Sequence, residues 1–439
     1  TTAFTTGGSL TGIVVPAGTP AGTYTGTLIV TNASCSATRA ITMTVNPPPT
    51  VANAGPDQTG ATTCGLTSVT LAGNTPSVGT GTWSMISGTG GTVTTPSSAT
   101  STFSGTAGST YTLRWTIANS PCTSSTDDVV ITFNISPSAP AVGTITNVTC
   151  SSTTGSVVLS GLQNGWVITQ SGTASGSYTS SGTSYTVTGL AVGNYTFRVS
   201  TASGCISPNS ANVAILDVSS ATWNGTEWVG GIAPDATRNA IINGPFTISS
   251  NLTACSLTIN TGVVVTVASG VTLTITNAVT TNGQLIFENN ASLVQTTNVT
   301  NTGAIEYRRK SAAMKNFDYT YWSSPVTGQN IVALSPNTLA DKYFRFNGAK
   351  DDWDLYNNPT TSTMIPGVGY IIRTPKEGNP WPNGEIVSFP YSQPVAFKGV
   401  PNNGNYPFVV GAGEFNLIGN PYPSAIDADL FITNPNNAT

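Results

Sequence analysis

Histidine is absent from the 439 residues. Charge is also scarce: Asp, Glu, Lys and Arg together make up 7% of the chain, where about 25% is usual. Nucleophilic catalysis needs a base beside the nucleophile, most often an imidazole, so a Ser or Cys hydrolase is close to excluded. No Cys-x-x-Cys pair occurs, which together with the missing histidines removes the usual zinc ligand sets. No apolar run approaches the roughly 20 residues of a membrane helix, and no amphipathic helical pattern exceeds about two turns. The net charge of −4 leaves no basic face for nucleic acid, and the one basic cluster, Arg308-Arg309-Lys310, reads as a solvated strand end. The opening Thr-Thr-Ala-Phe shows no starting Met, basic n-region or apolar h-region.

Apolar residues nevertheless make up 38% of the chain, enough to build cores. They fall at period two with Val, Ile and Thr, and Gly 46 and Pro 28 supply the turns. The chain is therefore all-β, and its length implies several modules. A short unit occurs three times: Tyr24 with Cys35 eleven residues on, Tyr111 with Cys122 eleven on, Tyr195 with Cys205 ten on. Each is followed by an alternating strand, such as Val129, Ile131 and Phe133. A period of roughly 85 residues suits a repeated immunoglobulin-like sandwich.

Five segments follow from this grammar. Residues 1–47 read as the C-terminal part of an Ig-like domain, ending at Pro47-Pro48-Pro49, and residues 48–137 and 138–217 as complete Ig-like domains. The first segment lacks its opening strands, so the chain reads as cut from a longer array. Trp83 and Trp115 are assigned to the second domain's core, beside its disulfide. Residues 218–304 carry short apolar strands separated by Gly262, Gly270, Gly283 and Gly303, as coils of a β-solenoid do. Residues 305–439 concentrate aromatics and read as a jelly-roll-like β-sandwich, truncated at its end. Its expected strands include Lys342–Phe346, Gly369–Arg373, Glu385–Phe389 and Phe408–Val410, with a short helix capped by Ser424.

Cysteine placement implies an oxidising compartment. Cys64 and Cys122 occupy equivalent places to Cys150 and Cys205, which predicts two disulfides, Cys64–Cys122 and Cys150–Cys205. Each would close a loop of about 55 to 60 residues and contribute about 4 kcal/mol in the chain-entropy model. Cys35 is then left to pair upstream, and Cys255, within an alternating apolar run, reads as a buried free thiol.

Several motifs carry a resemblance. Ala54-Gly55-Pro56-Asp57, Asp127-Asp128, Gly230-Gly231-Ile232-Ala233-Pro234-Asp235, Tyr321-Trp322-Ser323-Ser324-Pro325-Val326 and Phe415 to Pro423 resemble, in this order, modules of large SprB-like surface adhesins of gliding Bacteroidota. The resemblance implies an exported cell-surface adhesin and a role in gliding or surface attachment. Its implied partners are the type IX secretion machinery, outer-membrane components and surface polysaccharide. The alternatives are the non-catalytic accessory region of a secreted polysaccharide-degrading enzyme and a subunit of a polymeric surface fibre.

Candidate site residues are few. Asp351, Asp352, Asp354 and Glu377 supply carboxylates, but the plainer reading for a glycosidase pair is solvated loop acids. No catalytic role is assigned. Asp351, Asp352 and Asp354 are candidate oxygen ligands for calcium, the one cofactor considered, against a polar hairpin tip. Trp353, Tyr356 and Trp381 are candidates for stacking on a glycan, against a place in the core.

Overall fold

A computed structural model describes residues 14–434. The fold is all-β, with the α-helices Ile331–Leu334 and Ala428–Thr433 among the described residues. The chain divides into two compact units: Thr1–Thr144, Val157–Val187 and Asn194–Val213, and Ile145–Ser156, Thr188–Gly193 and Ala214–Thr439.

In the first unit, Gly22–Thr31 pairs antiparallel with Ser36–Val45, Tyr24 standing opposite Met43. Asn32 turns the hairpin by accepting from the backbone N–H groups of Ser34 and Cys35. Over the described residues the first segment is this hairpin; residues 1–13 lie outside them.

A complete sandwich follows. One sheet is ordered Thr80–Ser87, Thr110–Ala118, Ser125–Thr132, and the other Ser68–Thr70, Thr102–Ser104, Thr92–Val93. Strict alternation buries Tyr111, Leu113, Trp115 and Ile117 from one strand and Val129, Ile131 and Phe133 from its partner. Trp83 and Trp115 pack at 4.9 Å between ring centroids. Gly81 must be glycine, because a Cβ there would enter the Trp115 ring. A second sandwich, Ala141–Ile215, has sheets of four and three strands.

The disulfides differ from the expected ones. Cys64 is bonded to Cys205 and Cys150 to Cys255, whereas Cys122 and Cys35 are free. The cause is strand length. Cys122 lies at the end where the chain enters the sandwich, its thiol donating towards the carbonyls of Asn46 and Pro47. Cys64 lies at the exit end, where Gly65 N–H donates to Asn134 O. The eight-residue strand Ser125–Thr132 stands between those ends, about 25 Å long, far beyond disulfide reach. The Trp83–Trp115 pair is core as expected but has no disulfide beside it. Cys255 is buried, as its alternating run implies, yet it is a bridge and not a free thiol.

The second unit contains a parallel β-solenoid. Each coil has three short strands, and equivalent strands stack in register. Phe246, Val265, Leu285 and Ile305 form one inward column, and Ile248, Val267, Phe287 and Tyr307 the next. Threonines such as Thr247 and Thr266 face outward between them. Coils this close need glycine at the corners: Gly303, at φ 83°, passes so near Thr281 that a Cβ would meet its carbonyl. Trp223, Trp228 and Phe246 pack together against the first coil (Trp223–Phe246 centroids 4.3 Å).

The last coil does not end the sheet. Ile305–Lys310 runs parallel to Gln284–Phe287 on one side and antiparallel to Pro394–Pro401 on the other, which in turn pairs with Val326–Thr327. A four-stranded antiparallel sheet, ordered Tyr319–Trp322, Tyr370–Arg373, Tyr343–Asn347, Asp352–Leu355, completes the terminal module. One continuous core runs from Ala240 to Phe397. Neither Glu385–Phe389 nor Phe408–Val410 is a strand; Ile386 makes a single bridge to Pro380. The last helix is capped by Asp427, which accepts from Leu430 N–H, and not by Ser424.

Disulfide mapping of non-reduced protein is expected to yield Cys64–Cys205 and Cys150–Cys255 peptides. Cys205→Ser should lower stability by about 4–5 kcal/mol, given the long loop released, while Cys122→Ser should leave both stability and the peptide map unchanged.

Candidate functional site

The four-stranded sheet of the terminal module has a buried face and an open one. Tyr343, Tyr370 and Ile372 point into the core. By alternation, the neighbours of these residues face out, and they are aromatic or apolar: Tyr319 and Tyr321, Phe344 and Phe346, Trp353 and Leu355. Register places Tyr321, Ile371, Phe344 and Leu355 in one row across the strands. Tyr319 and Phe344 rings lie 6.2 Å apart, and Phe346 meets Trp353 edge-on at 5.2 Å. At the edge, the Arg373 guanidinium sits 4.6 Å from the Phe317 ring centroid. Tyr321 is 66% exposed and Phe317 65%, with Tyr319 and Leu355 also exposed, while Phe344, Phe346, Ile371 and Trp353 are half-buried. Such a row spans about 15 Å across four strands, a span that fits a short oligosaccharide whose C–H faces pack on ring faces.

The residues singled out in the sequence fall in different places. Trp353 belongs to the open face. Tyr356 lies on the loop side, its hydroxyl donating to Thr363 O and its ring near Arg345 and Tyr370. Trp381 is buried at 6% exposure and packs near Tyr391. The three are thus not brought together. The period-two aromatics at Phe317, Tyr319 and Tyr321 were the missed signal. Alternation marks one face of a strand, but only the tertiary fold says that this face is the uncovered one.

The three candidate calcium ligands do not converge either. Asp351 sits at the hairpin tip with φ 51°, and Asp352 accepts from Trp353 N–H. Asp354 accepts from Lys350 Nζ and Asn347 Nδ2, and those hydrogen bonds hold its carboxyl below the usual carboxylate range. Among the described residues no three His, Cys, Asp or Glu side chains are arranged to hold a metal. Glu377 is in contact with Asn316.

A concavity of about 890 Å³ lies over the outward face of Ile305–Lys310 and is lined by Trp381, Gln329, Asn330 and a charge network. Arg308 pairs with Glu288 at 2.8 Å and with Glu306 at 2.6 Å, and Lys398 reaches Glu306 at 3.2 Å. Burial opposes ionisation of Glu306, but the hydrogen bonds from Arg308 and Lys398 outweigh it and hold the carboxyl below its ordinary value. Because the folded pKa is depressed, this contribution is present above the unfolded value and is lost as pH falls through the folded one. The melting temperature of the second unit should therefore drop as pH is lowered from about 5 to 3, and Glu306→Gln should flatten that part of the profile.

Residues 217–439 match a family described as a domain of unknown function, DUF8693, and the chain belongs to that family. No curated protein matches the sequence. Among solved structures, it is similar to the FN1–FN3 domains of chicken CNTN1 at 14% identity over 44% of this chain and 75% of that one, with a TM-score of 0.23. A calcium-stabilised, ice-binding adhesin of an Antarctic bacterium matches at 12% identity over 44% of this chain and 57% of that one, with a TM-score of 0.19. The SGBP-B protein of the Bacteroides ovatus mixed-linkage glucan utilization locus matches at 11% identity over 81% and 71%, with a TM-score of 0.16. With TM-scores below 0.5, these likenesses do not bear on what the chain does.

Proposed function

We propose that this member of the DUF8693 family is a segment of an exported cell-surface adhesin. It acts as a stalk and presentation module whose terminal sheet contacts polysaccharide. Export through the type IX secretion system and a role in gliding or surface attachment are what its motif order adds to this reading. The mechanism is mechanical, and no catalytic step is assigned.

The observation that carries the reading is the connectivity of the two disulfides. They interleave along the chain, from Cys64 to Cys205 and from Cys150 to Cys255, with sequence separations of 141 and 105. A bridge inside one sandwich would protect that sandwich alone. Bridges between successive β-modules offer a covalent short cut past them, so tension on the chain bypasses the intervening folds. Disulfides also persist in oxidising surroundings, which supports an extracellular place. Among the described residues no helix is long and apolar enough to cross a membrane, which says nothing of a β-barrel.

Single-molecule pulling on the full chain tests the stalk. Unfolding without reductant should stop short of the full contour length by about 500 Å, at 3.6 Å per residue over the Cys64–Cys205 loop. Cys64→Ser should shorten that deficit to about 380 Å, the loop held by Cys150–Cys255. Full extension before reduction would remove the basis of the reading.

A glycan array tests the open face. Neutral polysaccharide retained by the parent should bind at least ten-fold more weakly to Tyr321→Ala and Phe344→Ala. The exposed Tyr321 position should shift stability by about 0.5 kcal/mol or less, and a circular-dichroism melt checks that Phe344→Ala stays folded. Equal retention by parent and variants would count against glycan contact there.

A further inference from the structure

Adjacent arginines on one strand have different partners. Arg308 faces out and is met by Glu288 and Glu306. Arg309 follows the inward parity of Ile305 and Tyr307 and lies where the core opens into a cavity of about 410 Å³. Its guanidinium carbon is 3.6 Å from the Tyr307 ring centroid. It donates to the carbonyls of Ala291 at 2.6 Å, Arg308 at 2.7 Å and Glu288 at 3.3 Å. Among the described residues no carboxylate pairs with it. Burial alone acts on its pKa, bringing it down to about 10. It therefore keeps its charge at neutral pH, half-buried and without a counter-ion, an arrangement that costs stability unless an anion arrives.

The other walls point the same way. The cavity is bounded by residues of two of the sequence motifs, Tyr321 to Pro325 and Asn420 to Tyr422, which are tied by Ser323 Oγ donating to Asn420 O at 2.6 Å. Trp322 lines it, and its indole N–H is buried with no acceptor. Trp322 meets Phe397 edge-on at 6.0 Å, and Phe397 stands opposite Tyr307 across the strands. Tyr422 completes an aromatic lining. A cation without a carboxylate partner is thus set among ring faces in a space suited to one sugar ring.

We propose that this cavity is a subsite for an acidic sugar, a uronate unit of a polysaccharide. The carboxylate pairs with Arg309, and the apolar face of the ring lies against the aromatic walls. The choice of a saccharide rests on the proposed polysaccharide contact; the preference for a carboxylate rests on Arg309 alone.

Titration calorimetry on the full chain tests the subsite with three probes: an oligogalacturonate, its fully methyl-esterified form, and a short peptide with a free C-terminal carboxylate. The acid sugar should bind the parent at least ten-fold more tightly than its ester. Arg309→Gln should abolish that preference. Phe344→Ala, outside the cavity, should leave the acid-to-ester preference intact. Equal binding of acid and ester, an unchanged preference in Arg309→Gln, or Arg309-dependent binding of the peptide in place of the sugar would overturn the subsite. Neutral glycan held on the open face with no acid preference would sink the subsite and leave the open-face reading standing. Binding to neither glycan would sink both.

Discussion

A parallel solenoid grows by presenting the edge of its last strand to the next coil, and in this chain that edge has to be closed. Ile305–Lys310 would otherwise offer a row of unpaired backbone groups above a column of buried aliphatic and aromatic side chains. Pro394–Pro401 closes it by pairing antiparallel, and Val326–Thr327 extends the closure. Reversing strand direction stops further coils from adding. It also carries the solenoid core without interruption into the terminal module, so that Phe287, Tyr307 and Phe397 belong to one cluster. The terminal module is thus a cap as much as a domain. Both candidate concavities and the aromatic face are consequences of how that cap is laid on.

The same logic governs the disulfides. A long sandwich separates its two ends by the length of its strands, so cysteines at opposite ends cannot meet however alike their places in the repeat. Cysteines at one end can meet whatever the next module brings there. Gly204 approaches Ala61 beside the Cys64–Cys205 bridge, and the Cys150 backbone N–H donates to Thr237 O beside the Cys150–Cys255 bridge. Each bridge therefore marks a junction, and their interleaving follows from junction chemistry repeated twice.

Charge scarcity gives the few charged groups unusual meaning. Arg114 pairs with Asp128 across a strand pair, Arg238 with Asp235 in a turn, and Arg308 with two glutamates. Arg309 stands apart because its cation is satisfied by carbonyls and a ring face only. In a protein with little charge to place, a half-buried cation without a carboxylate is a feature of the site and not of the background.

Much of the fold was legible in the residues. Period-two alternation at Tyr111 to Ile117 placed a central strand and its buried face, and the glycine-punctuated run from Leu257 to Phe287 read as solenoid because each short strand repeats the same inward pattern. Those are local properties, set by backbone geometry and side-chain parity. Which cysteines pair, which face of Tyr319–Trp322 stays open, and where Arg309 ends up are not local. Disulfide partners depend on the ends of rods several strands long, and an uncovered face depends on what fails to pack on it. The setting of Arg309 depends on segments more than a hundred residues away in sequence folding over one strand. The sequence alone determined the class of architecture and its strand faces; the tertiary structure decided connectivity and exposure, because both are set by distances that no sequence spacing encodes.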